Sequence, residues 1–195
     1  MHNKLQPSDL YTLEQYARIR SSFRGEVMAH KQRRTVQIGP NVTWIFEDRM
    51  TIQYQVQEML RVERIFEEEG IADELNAYNP LIPDGSNWKA TFLIEFTDVD
   101  ERRAALARMK GIEDACWVQV DDQPRVLAIA DEDMERSNDD KTSSVHFLRF
   151  ELTAAMVKSA KAGAGLRMGI DHPAYGHALG PVPALVRESL VKDLL

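Results

Sequence analysis

KATFLIEF, residues 89–96, and SSVHFLRFEL, residues 143–152, decide how this chain is read. Each is a short apolar run with aromatic and β-branched residues, and each is followed by helical spacing and then by a second apolar run. The first unit reads as a strand over 90–96, a helix over 98–110 and a strand over 116–120. The second reads as a strand over 144–152, a helix over 153–162 capped by Thr153, and a strand over 166–170. Two such units in tandem, FLIEF in one matching FLRFEL in the other, predict an α+β fold: a ferredoxin-like antiparallel sheet with helices on one face. Asp121-Asp122-Gln123-Pro124 turns the chain into an additional hairpin strand over 125–130. The polar run DEDMERSNDDKTSS reads as a solvated loop, and a closing helix over 184–194 follows Pro181 and Pro183.

Toward the N-terminus, Ser8 or Asp9 caps a helix reaching about Arg24, and a short helix follows over 27–33. RTVQIGPNVTWIFED, 34–48, reads as a β-hairpin around Gly39-Pro40-Asn41. A long amphipathic helix then runs over 47–69, and Gly70 ends or bends it, with 71–78 able to continue it. Its stripe of Ile52, Val56, Met59, Leu60, Val62 and Phe66 has Glu63 near the middle and Gln55 two turns earlier on the same face. The chain thus divides into a helical arm with hairpin and long helix, 1–86, and an α+β core, 87–195, packed as one compact unit.

With 195 residues, 44% of them hydrophobic, the chain can bury a sizeable core. Its net charge of −7 divides unevenly after Arg49: eight basic and five acidic residues before that point (+3), sixteen and twenty-six after it (−10). The basic arm, with Arg18, Arg20, Arg24, Lys31, Arg33 and Arg34, could touch phosphates, but the acidic body disfavours nucleic acid as a partner. No apolar run approaches 18 residues, which speaks against a membrane span, and the first residues lack a signal-peptide layout, so the expected location is the cytoplasm. The single cysteine, Cys116, lies in an apolar stretch and reads as a buried, inert thiol; alone it holds no iron–sulfur cluster.

Chemistry has to come from carboxylates and five histidines. A carboxylate at Glu63 on an apolar stripe must be paired, protonated or close to water. One explanation is a bridge to Arg49 or Arg149. The functional alternative is a polar pocket between the long helix and the sheet, built from Gln55, Glu58, Arg61, Glu63 and Arg149. A divalent metal there would draw on Glu63, His146 and His172, with Glu58 or Glu63 as acid, base or ligand. His146 alternates with Leu148 and Phe150, which gives it the bland reading of a satisfied sheet histidine. Glu26 and His30, spaced i, i+4, read as an exposed contact. His172 and His177 fall in a loop, GIDHPAYGHALG. No Glu-x-x-His pair, phosphate loop or nucleophile elbow completes a catalytic set.

The order of LYTLEQYARIR, FEDRMTIQYQVQEMLRVER, AYNPLIP, SSVHFLRFEL and DHPAY resembles an uncharacterised bacterial family, a catalogued domain of unknown function of about this length. The resemblance implies genes that often sit beside rubrerythrin-like proteins and iron–sulfur oxidoreductases. It thereby implies an accessory or binding role in redox or peroxide defence, with docking to a redox protein, self-association and no turnover by the protein alone. The alternative from the residues is a small metal-binding protein or enzyme using the carboxylate and histidine pocket.

Overall fold

The computed structural model describes residues 4–138 and 140–195. The fold is mixed α and β, with its strands in two antiparallel sheets. The hairpin forms where Gly39-Pro40-Asn41 turns the chain: β1 (Thr35–Gln37) pairs with β2 (Val42–Phe46), and Gly39 takes a positive φ of 70°. β2 then pairs with β3 (Asn87–Ile94), so the hairpin of the N-terminal arm is built into the sheet of the C-terminal units. The first sheet is completed by β7 (Val145–Glu151) and the two-residue β6 (Ile129–Ala130), giving the order β1-β2-β3-β7-β6. The second contains β5 (Val126–Leu127), β4 (Cys116–Val120), β8 (Leu166–His172) and β9 (Tyr175–Leu179), in the order β5-β4-β8-β9.

The two strand–helix–strand units are present, with α4 (Val99–Arg108) and α5 (Ala154–Lys161) as their helices, but a single ferredoxin-like sheet is not what they form. Each unit starts in the first sheet and ends in the second: β3 to β4 through α4, and β7 to β8 through α5. The segment expected as one extra strand is shared between the sheets, because β5 pairs with β4 and, one residue later, β6 pairs with β7. The inner residues of both sheets share one core. Trp44, Phe46, Trp88, Phe92, Leu148 and Phe150 from the first sheet join Cys116, Val118, Val120, Met168 and Ile170 from the second. α4, α5 and α6 (Ala184–Val191) add Leu106, Met156, Val186 and Leu190. Cys116 is buried as expected, and burial pushes its thiol well above the ordinary range.

The helical arm departs from expectation twice. α1 runs unbroken from Leu13 to Gln32 under a Thr12–Gln15 capping box, so the two expected helices are one, and Gly25 passes through its exposed side without contact. The long helix is two: α2 (Arg49–Glu63), capped by Asp48, and α3 (Glu68–Tyr78). Arg64 breaks it by adopting the left-handed conformation at φ 56°, ψ 43°. The break lets Leu75 of α3 join Ile52, Val56 and Leu60 of α2 in a second apolar cluster, while Val62 and Phe66 stay exposed at 61% and 69%. Glu63 is therefore exposed beside the elbow, and bridges to neither arginine: Arg49 pairs with Asp9 and Arg149 with Glu132 and Glu151.

α1 and α2 are clamped by Glu58, which accepts hydrogen bonds from the Tyr16 hydroxyl at 2.7 Å and from Arg20 at 2.7 and 2.8 Å. Arg20 holds the Glu58 carboxyl at about 2, against an ordinary 4.5. A depressed folded-state value stabilises the protein above pH 4.5, and that stabilisation is lost as pH falls from there toward 2. Glu58→Gln is expected to lower stability at pH 7 by about 1 kcal/mol, with a smaller difference from wild type near pH 3. Urea titrations at the two pH values check this; an equal loss at both would contradict it.

Candidate metal centre

On β7, alternation sends His146, Leu148 and Phe150 to the inner face, as the sequence pattern indicates. His146 is fully buried, opposite Phe92 in the β3–β7 ladder, with the rings edge to face at 5.6 Å. Its ring nitrogens meet groups from two loops. Asp131 follows β6 in the left-handed region, at φ 48°. Its backbone N–H donates to Phe147 O at 2.9 Å and its Oδ1 accepts from Phe147 N–H at 2.9 Å. This fixes Oδ2 at 2.6 Å from His146 Nδ1, so Nδ1–H donates to the carboxylate. Arg136 holds the same aspartate through Oδ1 at 3.2 Å, is itself gripped by both oxygens of Asp133, and lies 4.6 Å over the Phe147 ring.

On the other side of the ring, Nε2 lies 3.8 Å from Glu113 Oε2, 2.9 Å from Thr142 Oγ1 and 3.1 Å from Ser143 O. Glu113 comes from the single turn of 3-10 helix Glu113–Ala115 that precedes β4. Its Oε1 accepts from Ser137 Oγ at 2.7 Å, while Thr142 Oγ1, with one hydrogen to give, lies 3.2 Å from Oε2 and donates either there or to Nε2 when that nitrogen carries the lone pair. Thr142 is tied to α4 by its N–H, which donates to Leu106 O. The supposed solvated loop thus supplies five groups to the site, Asp131, Arg136, Ser137, Thr142 and the carbonyl of Ser143. Among the described residues, Glu113, Asp131 and His146 form a group of three carboxylate and histidine side chains whose ligand atoms all fall within 4.8 Å of one another.

This donor set suits a borderline divalent cation. Two ligands each about 2.1 Å from one ion stand up to about 4 Å apart, so Nε2 and Glu113 Oε2 can share it. Thr142 Oγ1 and Ser143 O add neutral oxygen donors. Asp131 would not touch the ion but would fix the ring so that Nε2 carries the lone pair, the arrangement of a carboxylate–histidine–metal triad. Negative charge gathers here: burial first, then Glu113 and Asp131, raise the carboxyl of Asp114 above its ordinary range.

The structure does not bring the other sequence-derived candidates to this site. His172 Nε2 is 3.0 Å from Lys110 O and its Nδ1 accepts from Ala174 N–H, in the tight turn between β8 and β9. Glu63 is exposed, and Glu58 and Arg61 belong to the α1–α2 clamp. His30 lies 2.5 Å from Asp48, the cap of α2. Gln55 and Arg149 do line cavities between the helices and the outer face of the first sheet, but separate ones: Gln55 a space of about 240 Å³, Arg149 one of about 440 Å³. Among the described residues, no helix is long and apolar enough to cross a membrane.

Comparison with known proteins places the chain in a family. A crystal structure of a protein of unknown function from Burkholderia pseudomallei K96243 is 52% identical, with a TM-score of 0.94 over 98% of this chain and 100% of that one. No curated protein matches. The family model described as "Protein of unknown function (DUF3501)" matches residues 4–194. The chain belongs to that family, DUF3501.

Proposed function

We propose that this protein is a metal-binding accessory protein that holds one divalent cation between His146 Nε2 and Glu113 Oε2, with Thr142 and Ser143 completing the donors and Asp131 orienting the ring. The observation that carries the reading is the pairing of a fully buried imidazole with a carboxylate on each of its two nitrogens, at 2.6 and 3.8 Å. Donors this deeply enclosed suit a closed site rather than one keeping a position open for substrate, which supports binding over turnover. Zinc, iron and manganese all match an imidazole and oxygen set. The redox setting implied by the resemblance, with a cytoplasmic location and docking to a redox protein, would draw on such an ion, because the one thiol is buried and held protonated.

Elemental analysis of protein purified without chelator or affinity tag tests the proposal. One equivalent of metal is expected, and Asp131→Asn is expected to weaken affinity by about 10–100-fold through loss of ring orientation. Wild-type protein that carries no metal and takes up neither Zn(II), Mn(II) nor Fe(II) would overturn it.

A second reading rests on the 3.1 Å approach of Nε2 to Ser143 O. If Nε2 also bears a proton, His146 is an imidazolium donating to Asp131 on one side and to the carbonyl on the other. The cluster then serves to pin the 131–142 loop to the first sheet.

A further inference from the structure

The cleft of about 440 Å³ lies on the opposite face of the first sheet from His146, between that sheet and the α3 layer. Its size falls within the range of small-molecule sites. Met59, Tyr78, Leu81 and Phe147 give it an apolar wall, and three cations, Lys89, Arg136 and Arg149, also border it.

Those cations are already committed. Arg149 donates two hydrogen bonds to Glu132 and a third to Glu151. Arg136 is held by both oxygens of Asp133 and by Asp131. Lys89 donates to the carbonyls of Pro80 and Ile82 and to Asp84. An anion entering the cleft would have to break these contacts. The one carboxylate of the lining without a hydrogen-bond or ion-pair partner among the described residues is Glu74, on α3. Its charged neighbours are Glu63 and Asp73, which repel it, and burial together with that repulsion raises its carboxyl above the ordinary range. An apolar wall beside an uncompensated, partly desolvated carboxylate complements a ligand with an apolar body and a positive end.

We propose that this cleft binds a small organic amine, with its ammonium group against Glu74 and its apolar body on Tyr78, Leu81, Met59 and Phe147. The site would not depend on a cation at His146, since the two share no donor atom.

Calorimetric titration at pH 7 with 2-phenylethylamine, and separately with 3-phenylpropionate, tests the proposal. The amine is expected to bind and the carboxylate, with a similar ring and the opposite charge, is expected to bind at least about tenfold more weakly. Glu74→Gln is expected to weaken the amine by about tenfold, as for loss of one charge-assisted contact. Ala77→Trp, at an exposed helix position bordering the cleft, is expected to abolish binding while leaving the circular dichroism spectrum unchanged. Equal or tighter binding of phenylpropionate would overturn the proposal. So would unchanged amine affinity in Glu74→Gln, or no binding of the amine to folded wild-type protein at about 5 mM, already weaker than most specific ligand affinities. Running the titration on Glu113→Gln as well separates the two sites: amine binding persists there even if metal binding is lost.

Discussion

His146→Ala is expected to lower the unfolding free energy by about 3–5 kcal/mol, the range seen when one partner of a buried charged cluster is removed. Asp131 loses the Nδ1–H donor at 2.6 Å, and Glu113 loses the group facing it at 3.8 Å, yet both carboxylates stay largely shielded from water. The cavity left beside Phe92 adds to the loss. Asp131→Asn keeps the volume and the acceptor oxygen, so a smaller loss of about 1–2 kcal/mol is expected. The double variant should lose less than the sum of the two, because removing the aspartate charge relieves what the missing histidine strands. Urea denaturation in the presence of chelator measures all three without a contribution from metal. A loss below about 1 kcal/mol for His146→Ala would mean that the cluster is not held as described.

Arg34→Met is expected to have a comparable effect at neutral pH and a smaller one in mild acid. Arg34 is 1% exposed and bridges three elements: it donates to Phe46 O and Glu47 O, to Ser189 of α6, and to Asp193 beyond that helix. Burial pushes the Asp193 carboxyl up to about 6, against an ordinary 3.8, even though Arg34 pulls it down. A carboxylate with a raised folded-state value takes up its proton more readily folded than unfolded. Its favourable contribution is complete below pH 3.8 and is lost as pH rises through about 6. Without Arg34 the acid would be raised further and would stand buried and unpaired at pH 7, costing about 3–5 kcal/mol. At pH 5 it would be protonated and the loss correspondingly smaller. Denaturant titrations at pH 5 and 7 check this, and Asp193→Asn should flatten the difference. A variant equally destabilised at both pH values would contradict the account of Asp193.

The features legible in the sequence are those set by local interactions. Thr153, the 34–48 hairpin and the alternation of His146, Leu148 and Phe150 depend on residues a few positions apart, and they read correctly. The division into two sheets did not, because β5 and β6 differ only in which neighbour completes each pair, β4 or β7, and pairing is a long-range choice. The break at Arg64 carries no glycine or asparagine signal; the docking of Leu75 on α2 imposes it. β9 was hidden by Pro173 and Gly176, which punctuate a tight turn and a two-stranded edge rather than a loop. At the site, His146 was visible as a polar residue on an apolar face. Glu113 and Asp131 were not, since each sits in an acidic, irregular segment of the kind that is ordinarily solvated. The available signal was a histidine directed into the core with no partner on its own strand, beside a loop rich in aspartate.

The state of the His146 ring nitrogens, read by long-range ¹H–¹⁵N correlation before and after one equivalent of Zn(II), tests the central claim most directly. The account predicts a protonated Nδ1 and a lone pair on Nε2 in chelated protein, with the Nε2 resonance moving on addition of zinc and Nδ1 staying protonated against Asp131. Both nitrogens protonated, and unmoved by zinc, would contradict the metal site and leave His146 as an imidazolium that pins the 131–142 loop.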